Sequence, residues 1–206
     1  MNRMQKNYTI LCCSEQPCWD TTPIANIDHS NWLPNPGIKA WAQICCFQNA
    51  LVIRLYAVET EPLVRFTGIT DMVCLDSCVE FFFCPLPYDS RYFNFEFNRN
   101  GALYLGFGSN RYDSVRQLAP CAKNLFCIKQ LISEDSWGIE FQIPFTFIRL
   151  YMPEFAIRPG LRLRGNFYKC GDETKSPHYL SWQKIHSETP DFHQPRDFGW
   201  LNFKQS

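Results

Sequence analysis

Residues 92–101 read YFNFEFNRNG, and residues 77–84, shortly before them, read SCVEFFFC. In the first stretch Phe93, Phe95 and Phe97 alternate with Asn94, Glu96 and Asn98. In the second Val79, Phe81 and Phe83 alternate with Cys78, Glu80 and Phe82. A period of two is the signature of a β-strand with two unlike faces. Asn100-Gly101 is the strongest short signal for a hairpin turn, with Ala102–Phe107 returning from it. These two stretches therefore predict neighbouring antiparallel strands with an aromatic face and a polar face.

The same period extends outward. Ile38–Phe47 and Leu51–Val58 alternate around Gln48-Asn49, which predicts another hairpin. Leu63–Phe66 is a short strand candidate. Phe126–Ile132 and Trp137–Ile143 form a further pair. Leu161–Tyr168 alternates Leu161, Leu163, Gly165 and Phe167 with Arg162, Arg164, Asn166 and Tyr168. Tyr179–Trp182 and Phe198–Phe203 are the last strands. Pro144–Tyr151 reads as one short helix, since Pro suits a helix start and Pro153 stops it. Residues 1–36 are broken by Pro17, Pro23, Pro34 and Pro36, so residues 1–24 are expected to be irregular. About ten strands with at most one or two short helices predict an all-β fold, an antiparallel two-sheet β-sandwich of immunoglobulin-like or jelly-roll-like architecture. The 206 residues suit one domain spanning 1–206, large enough for a core without staples.

Lys plus Arg and Asp plus Glu both number 20. A balanced charge argues against nucleic acid, whose binders need a basic excess, and against a polybasic membrane anchor. Eleven cysteines cannot all pair; no two are separated by two residues, and Cys74/Cys78 and Cys78/Cys84 are wider, with no His following at finger spacing. They are expected to be reduced, mostly as small apolar filler. The first twenty residues contain no apolar run of signal-peptide length, and no segment approaches the ~20 apolar residues of a membrane span. With free thiols this predicts a cytoplasmic location.

Chemistry concentrates on the polar strand faces. Glu80, Asn94, Glu96, Asn98, Arg164 and Asn166 all oppose apolar neighbours. Carboxylates, amides and guanidinium groups bond vicinal hydroxyls in pairs, as a sugar presents them. An aromatic ring beside them gives the C–H face of a sugar a platform, and Trp182 is the candidate. The competing expectation is a solvated face laced with Glu–Arg pairs. Glu80 and Glu96 could also serve as a glycosidase acid pair. His29, His178, His186 and His193 show no spacing for a metal or a nucleophile's base. No phosphate loop or nucleophile elbow is present.

DSCVEFF (residues 76–82) followed by YFNFEFNRNG resembles the family 9 carbohydrate-binding modules, in particular their stand-alone single-domain relatives. RGNFYK (164–169), PHYLSW (177–182) and PDFHQPRDFGWLNF (190–203) support this, as does the early hairpin with Arg65 after it. The resemblance covers about residue 25 to the end. It implies a non-catalytic β-sandwich that binds a mono- or oligosaccharide, often the end of a glucan or xylan chain, with structural calcium. It also implies a sugar held between two tryptophans, with Trp182 as one wall and Glu80, Asn98 and Asn166 as hydrogen-bonding partners. The chain departs from the family pattern at three places. Cys74 stands where the second tryptophan is expected, Leu75 where an acid is, and Glu96 where the sugar-binding Arg is. Two further readings follow: a sandwich that has lost sugar binding and takes a protein partner or another small ligand, and a glycoside hydrolase. A Trp182 ring covered by the chain's own side chains favours the first of these. In a cytoplasmic setting a short imported saccharide suits better than a polymer.

Overall fold

A computed structural model describes residues 5–158 and 160–204. Among them are fourteen strands. They are β1 (Asn7–Cys12), β2 (Ala25–Asn26), β3 (His29–Ser30), β4 (Lys39–Phe47), β5 (Ala50–Val58), β6 (Cys78–Cys84) and β7 (Tyr92–Asn98), followed by β8 (Leu103–Gly108), β9 (Val115–Arg116), β10 (Lys129–Ile132), β11 (Trp137–Pro144), β12 (Arg162–Gly171), β13 (His178–Ser181) and β14 (Gly199–Phe203). Two short helices, α1 (Ala122–Leu125) and α2 (Phe145–Tyr151), lie between strands.

The strands form a β-sandwich. One sheet runs β10-β11-β5-β4-β1 and the other β1-β14-β12-β6-β7-β8-β9. β1 belongs to both: Asn7–Ile10 pairs with β14 and Leu11–Cys12 pairs with β4, each in parallel. Within the segment 1–24 expected to be irregular, residues 7–12 are therefore a strand, and residues 1–4 lie outside the described residues. Tyr8 and Ile10 alternate with exposed Asn7 and Thr9, but a six-residue strand without an adjacent hairpin partner carries little local signal. The other pairings are antiparallel, as expected.

The sheets meet in a core built from the predicted apolar faces. Val79, Phe81, Phe83, Phe93, Phe95, Phe97 and Phe167 of one sheet face Ile44, Ile53, Leu55, Ile139 and Phe141 of the other. Phe81 stacks on Phe83 at 5.0 Å and on Phe167 at 4.9 Å, and Phe97 meets Phe141 across the sandwich at 4.6 Å. Both Gln48 and Asn49 take positive φ, as a tight hairpin turn matched to strand twist requires.

Two local expectations fail for identifiable reasons. Leu63–Phe66 is not a strand, because the Asp76 carboxylate accepts the N–H groups of Arg65 and Phe66 that a ladder would use. Phe126–Ile132 is shortened to Lys129–Ile132, because Cys127 sits at φ +48 just after α1.

The polar faces of β6, β7 and the C-terminal half of β12 are largely shielded from solvent. A second apolar layer covers them, including Val73, Phe82, Tyr92, Tyr168, Ile185, Phe192 and Phe198. All seven residues of β6 and all seven of β7 are buried.

Ile10 is fully buried on the strand that joins the sheets. Ile10→Ala should cost about 2–5 kcal/mol, read as a lower urea midpoint. An unchanged midpoint would show that β1 does not hold the sandwich closed.

Candidate functional site

A cleft of about 240 Å³ opens on the outer face of the second sheet. Its floor is built by register. Glu80 on β6 lies directly opposite Glu96 on β7, Tyr168 flanks Glu80, and Tyr104 on β8 flanks Glu96. Glu80, Phe82, Glu96, Tyr104 and Cys170 line it from below. Trp32, which follows β3, and Tyr179 of β13 form one wall with Phe192. Cys74, Asp172, Arg111 and Ser114 contribute the remaining rim.

The aromatic wall is held by the chain's own bonds. Trp32 meets Tyr179 edge-on at 5.5 Å and Phe192 at 5.6 Å. Its Nε1 donates to the carbonyl of Ser187 at 2.8 Å. Its backbone sits at φ +58, which costs a non-glycine residue on the order of 1–3 kcal/mol. Buried Asn31 fixes the approach: its Nδ2 donates to Ser181 Oγ, and its Oδ1 accepts from the N–H of Ile185. On the opposite rim Arg116 lies 4.2 Å from the Tyr104 ring and binds the carbonyls of Ile69, Thr70 and Asp71.

The floor is short of compensating cations. Burial and then the neighbouring Glu96 push the Glu80 carboxyl well above the usual range. Burial raises Glu96 to about 7, against the hydrogen bond it accepts from the Asn94 amide and the pull of Arg116. A carboxyl accepts hydrogen bonds as the anion and also donates one when protonated, a combination matched to hydroxyl groups. Ser114 Oγ is buried at the rim without a protein hydrogen-bond partner.

Of the six residues expected to bind, the structure brings only Glu80 and Glu96 to the cleft. Trp182 is a core residue, edge-on to Tyr8 and Phe167, with its six-membered ring packed against Gly199. The physical reason is parity: Leu180 and Trp182 point inward, so Tyr179 takes the cleft side. Asn98 is occupied by Asp76 and the Phe66 carbonyl through Nδ2, and by the N–H groups of Asn100 and Ala102 through Oδ1. Asn166 is bound to Gln183 at both backbone groups. Arg164 binds the carbonyls of Pro195 and Asp89. These three fix the loops that shape the cleft. Trp32 was missed because it lies in the Pro-punctuated N-terminal region. Tyr179 was legible in the alternation of HYLSW.

Calcium prefers an oxygen cage. Among the described residues, the one group of three or more close His, Cys, Asp or Glu ligand atoms is Cys78, Glu80 and Cys170. Two sulfurs do not suit calcium, so this triad does not fit the calcium that the resemblance implies.

The model of carbohydrate-binding family 9 matches residues 18–203. A protein of Bacteroides uniformis assigned as carbohydrate-binding is 25% identical, with 98% of this chain and all of that one covered at a TM-score of 0.82. A family 9 module of Caldicellulosiruptor kristjanssonii, solved with cellotriose, is 12% identical over 98% of this chain and 95% of that one, with a TM-score of 0.63. A structure of a family 9 module from the same organism with glucose gives 12%, 96% of each chain and 0.62. No curated protein matches the chain. The chain belongs to carbohydrate-binding family 9, whose modules are non-catalytic, and it is not an enzyme.

The half-buried His193 ring tests the packing of the cleft. Its Nδ1 is 2.6 Å from Tyr92 Oη, and burial pushes its pKa down to about 4, aided by Arg111 and opposed by Asp191. The unfolded chain takes up that proton near pH 6.5 and the folded one does not, so stability is complete above pH ~6.5 and falls towards pH ~4. His178, also lowered to about 4, acts in the same direction. His193→Asn should flatten the acid limb of a stability–pH curve by on the order of 2 kcal/mol. An identical acid slope would place His193 outside the packed layer.

Proposed function

We propose that the cleft above Glu80 and Glu96 binds a short saccharide. The observation that carries this is the pairing of a floor of two adjacent buried carboxyls with an aromatic wall. The wall offers ring edges and faces to the C–H surface of a sugar, and the floor exchanges hydrogen bonds with its hydroxyls. Tyr179 and Trp32 take the stacking role expected of Trp182, and Glu80 and Glu96 are the polar contacts. The family's carbohydrate ligands support this, and the cellotriose and glucose held by the two related modules favour glucose or a short β-glucan end. A xylan-derived oligosaccharide, and a place in polysaccharide breakdown, fit the same chemistry.

The carboxyl pair suits binding better than hydrolysis. Glycosidase carboxyls flank the scissile bond. Glu80 and Glu96 instead project side by side from one sheet face, beneath any ligand. The covered Trp182 and the Cys74 thiol in the rim favour a second reading, a non-sugar small ligand in the same cleft.

Calorimetric titration with glucose, cellotriose and xylotriose separates these readings. One of the saccharides should bind with a stoichiometry near one. Trp32→Ala or Tyr179→Ala should each weaken it by roughly 5- to 150-fold, the range expected of a lost stacking platform by analogy with nucleobases. Trp182→Phe should leave the affinity within about threefold while lowering the unfolding midpoint. Absence of heat with all three sugars removes the saccharide reading and favours the other small ligand.

A further inference from the structure

Beneath the cleft, Cys78 on β6 and Cys170 on β12 are direct partners across the ladder. Glu80 follows two residues after Cys78 on the same face. The Sγ of each cysteine and a carboxyl oxygen of Glu80 all lie within 4.8 Å of one another. Cys170 Sγ stands 3.0 Å from Glu80 Oε1. All three side chains are buried, and they come from two strands fixed by packing on both faces.

Ligand atoms around a tetrahedral zinc with Zn–S near 2.3 Å stand about 3.8 Å apart, so the triad needs only a side-chain adjustment to close on an ion. Two thiolates and one carboxylate make a borderline-soft donor set, suited to zinc and poorly suited to calcium or magnesium. Glu80 and Cys170 both line the cleft, so a fourth coordination position faces solvent and takes water. The nearby ammonium of Lys169 is directed to Glu59 and His178. Backbone geometry adds one more oxygen, the Cys74 carbonyl, 3.7 Å from Cys170 Sγ.

We propose that Cys78, Cys170 and Glu80 form a zinc-class metal site with an open position at the floor of the cleft. Binding replaces the two thiol protons with Zn–S bonds, Glu80 binds as the carboxylate, and the thiol protons and any proton held on Glu80 leave to solvent. No redox change is involved. The site does not depend on the saccharide reading, because the metal is read with no sugar present.

Cobalt(II) titration of the reduced, full-length chain tests it. One equivalent should produce a near-ultraviolet thiolate-to-cobalt band and the visible bands of tetrahedral cobalt, and zinc should displace both. Cys78→Ser and Cys170→Ser should each lose the band, whereas Cys12→Ser with Cys46→Ser should keep it. X-ray absorption of the zinc-loaded wild-type protein needs no variant to fold. It should count two sulfurs at about 2.3 Å, with oxygen completing the shell. No cobalt band, a band that survives in both single variants, or any sulfur count other than two would overturn the site. Failure of all sugars in calorimetry would leave this result untouched.

Discussion

A strand buried on both faces must satisfy every polar group it carries, because an unpaired one costs on the order of 1–3 kcal/mol. β6 and β7 are such strands, and between them they carry Glu80, Asn94, Glu96 and Asn98. Much of the surrounding structure answers that requirement, with Asn94 Oδ1 the exception. Asp76 accepts from Arg65, Phe66 and Asn98, which straps residues 63–66 over the sheet. Asn98 in turn closes the β7–β8 hairpin. Asn166 fastens the segment after β13, and Arg164 fastens the loops at Asp89 and Pro195. Once these bonds are made, Glu80 and Glu96 are the carboxyls of the buried face that still look into a cleft.

That division explains how far the sequence could be read. The period of two in YFNFEFNRNG and SCVEFFFC placed the core phenylalanines and the polar face correctly, because side-chain alternation is a property of the backbone alone. Whether the polar face meets water depends on loops more than ten residues distant, and the alternation says nothing about them. Asn98, Asn166 and Arg164 have the chemistry of sugar-binding groups, yet each spends its hydrogen bonds on the chain itself. Trp182 was assigned by motif although its parity with Leu180 points inward. Tyr179 and Trp32 supply the aromatic surface in its place. β1 was hidden because parallel pairing with strands far along the chain leaves no local mark.

Two of the three departures from the pattern that the resemblance implies, Cys74 and Glu96, meet at one spot. Cys74 in the position of a tryptophan and Glu96 in the position of an arginine both line the cleft. Together they make the site more acidic and richer in sulfur, with Cys170 and Cys78 close beneath. A ligand here meets two carboxyls whose charged forms burial disfavours, and this favours polar, uncharged molecules over anions.

The central claim is that ligand recognition occurs on the outer face of the second sheet, between Trp32, Tyr179 and the Glu80–Glu96 pair. A crystal structure with cellotriose or glucose bound is the most direct test. One sugar ring should lie against Tyr179 and Trp32 with hydroxyls within hydrogen-bond distance of Glu80 and Glu96. A saccharide seated elsewhere on the sandwich, with this cleft holding only water, would contradict the account.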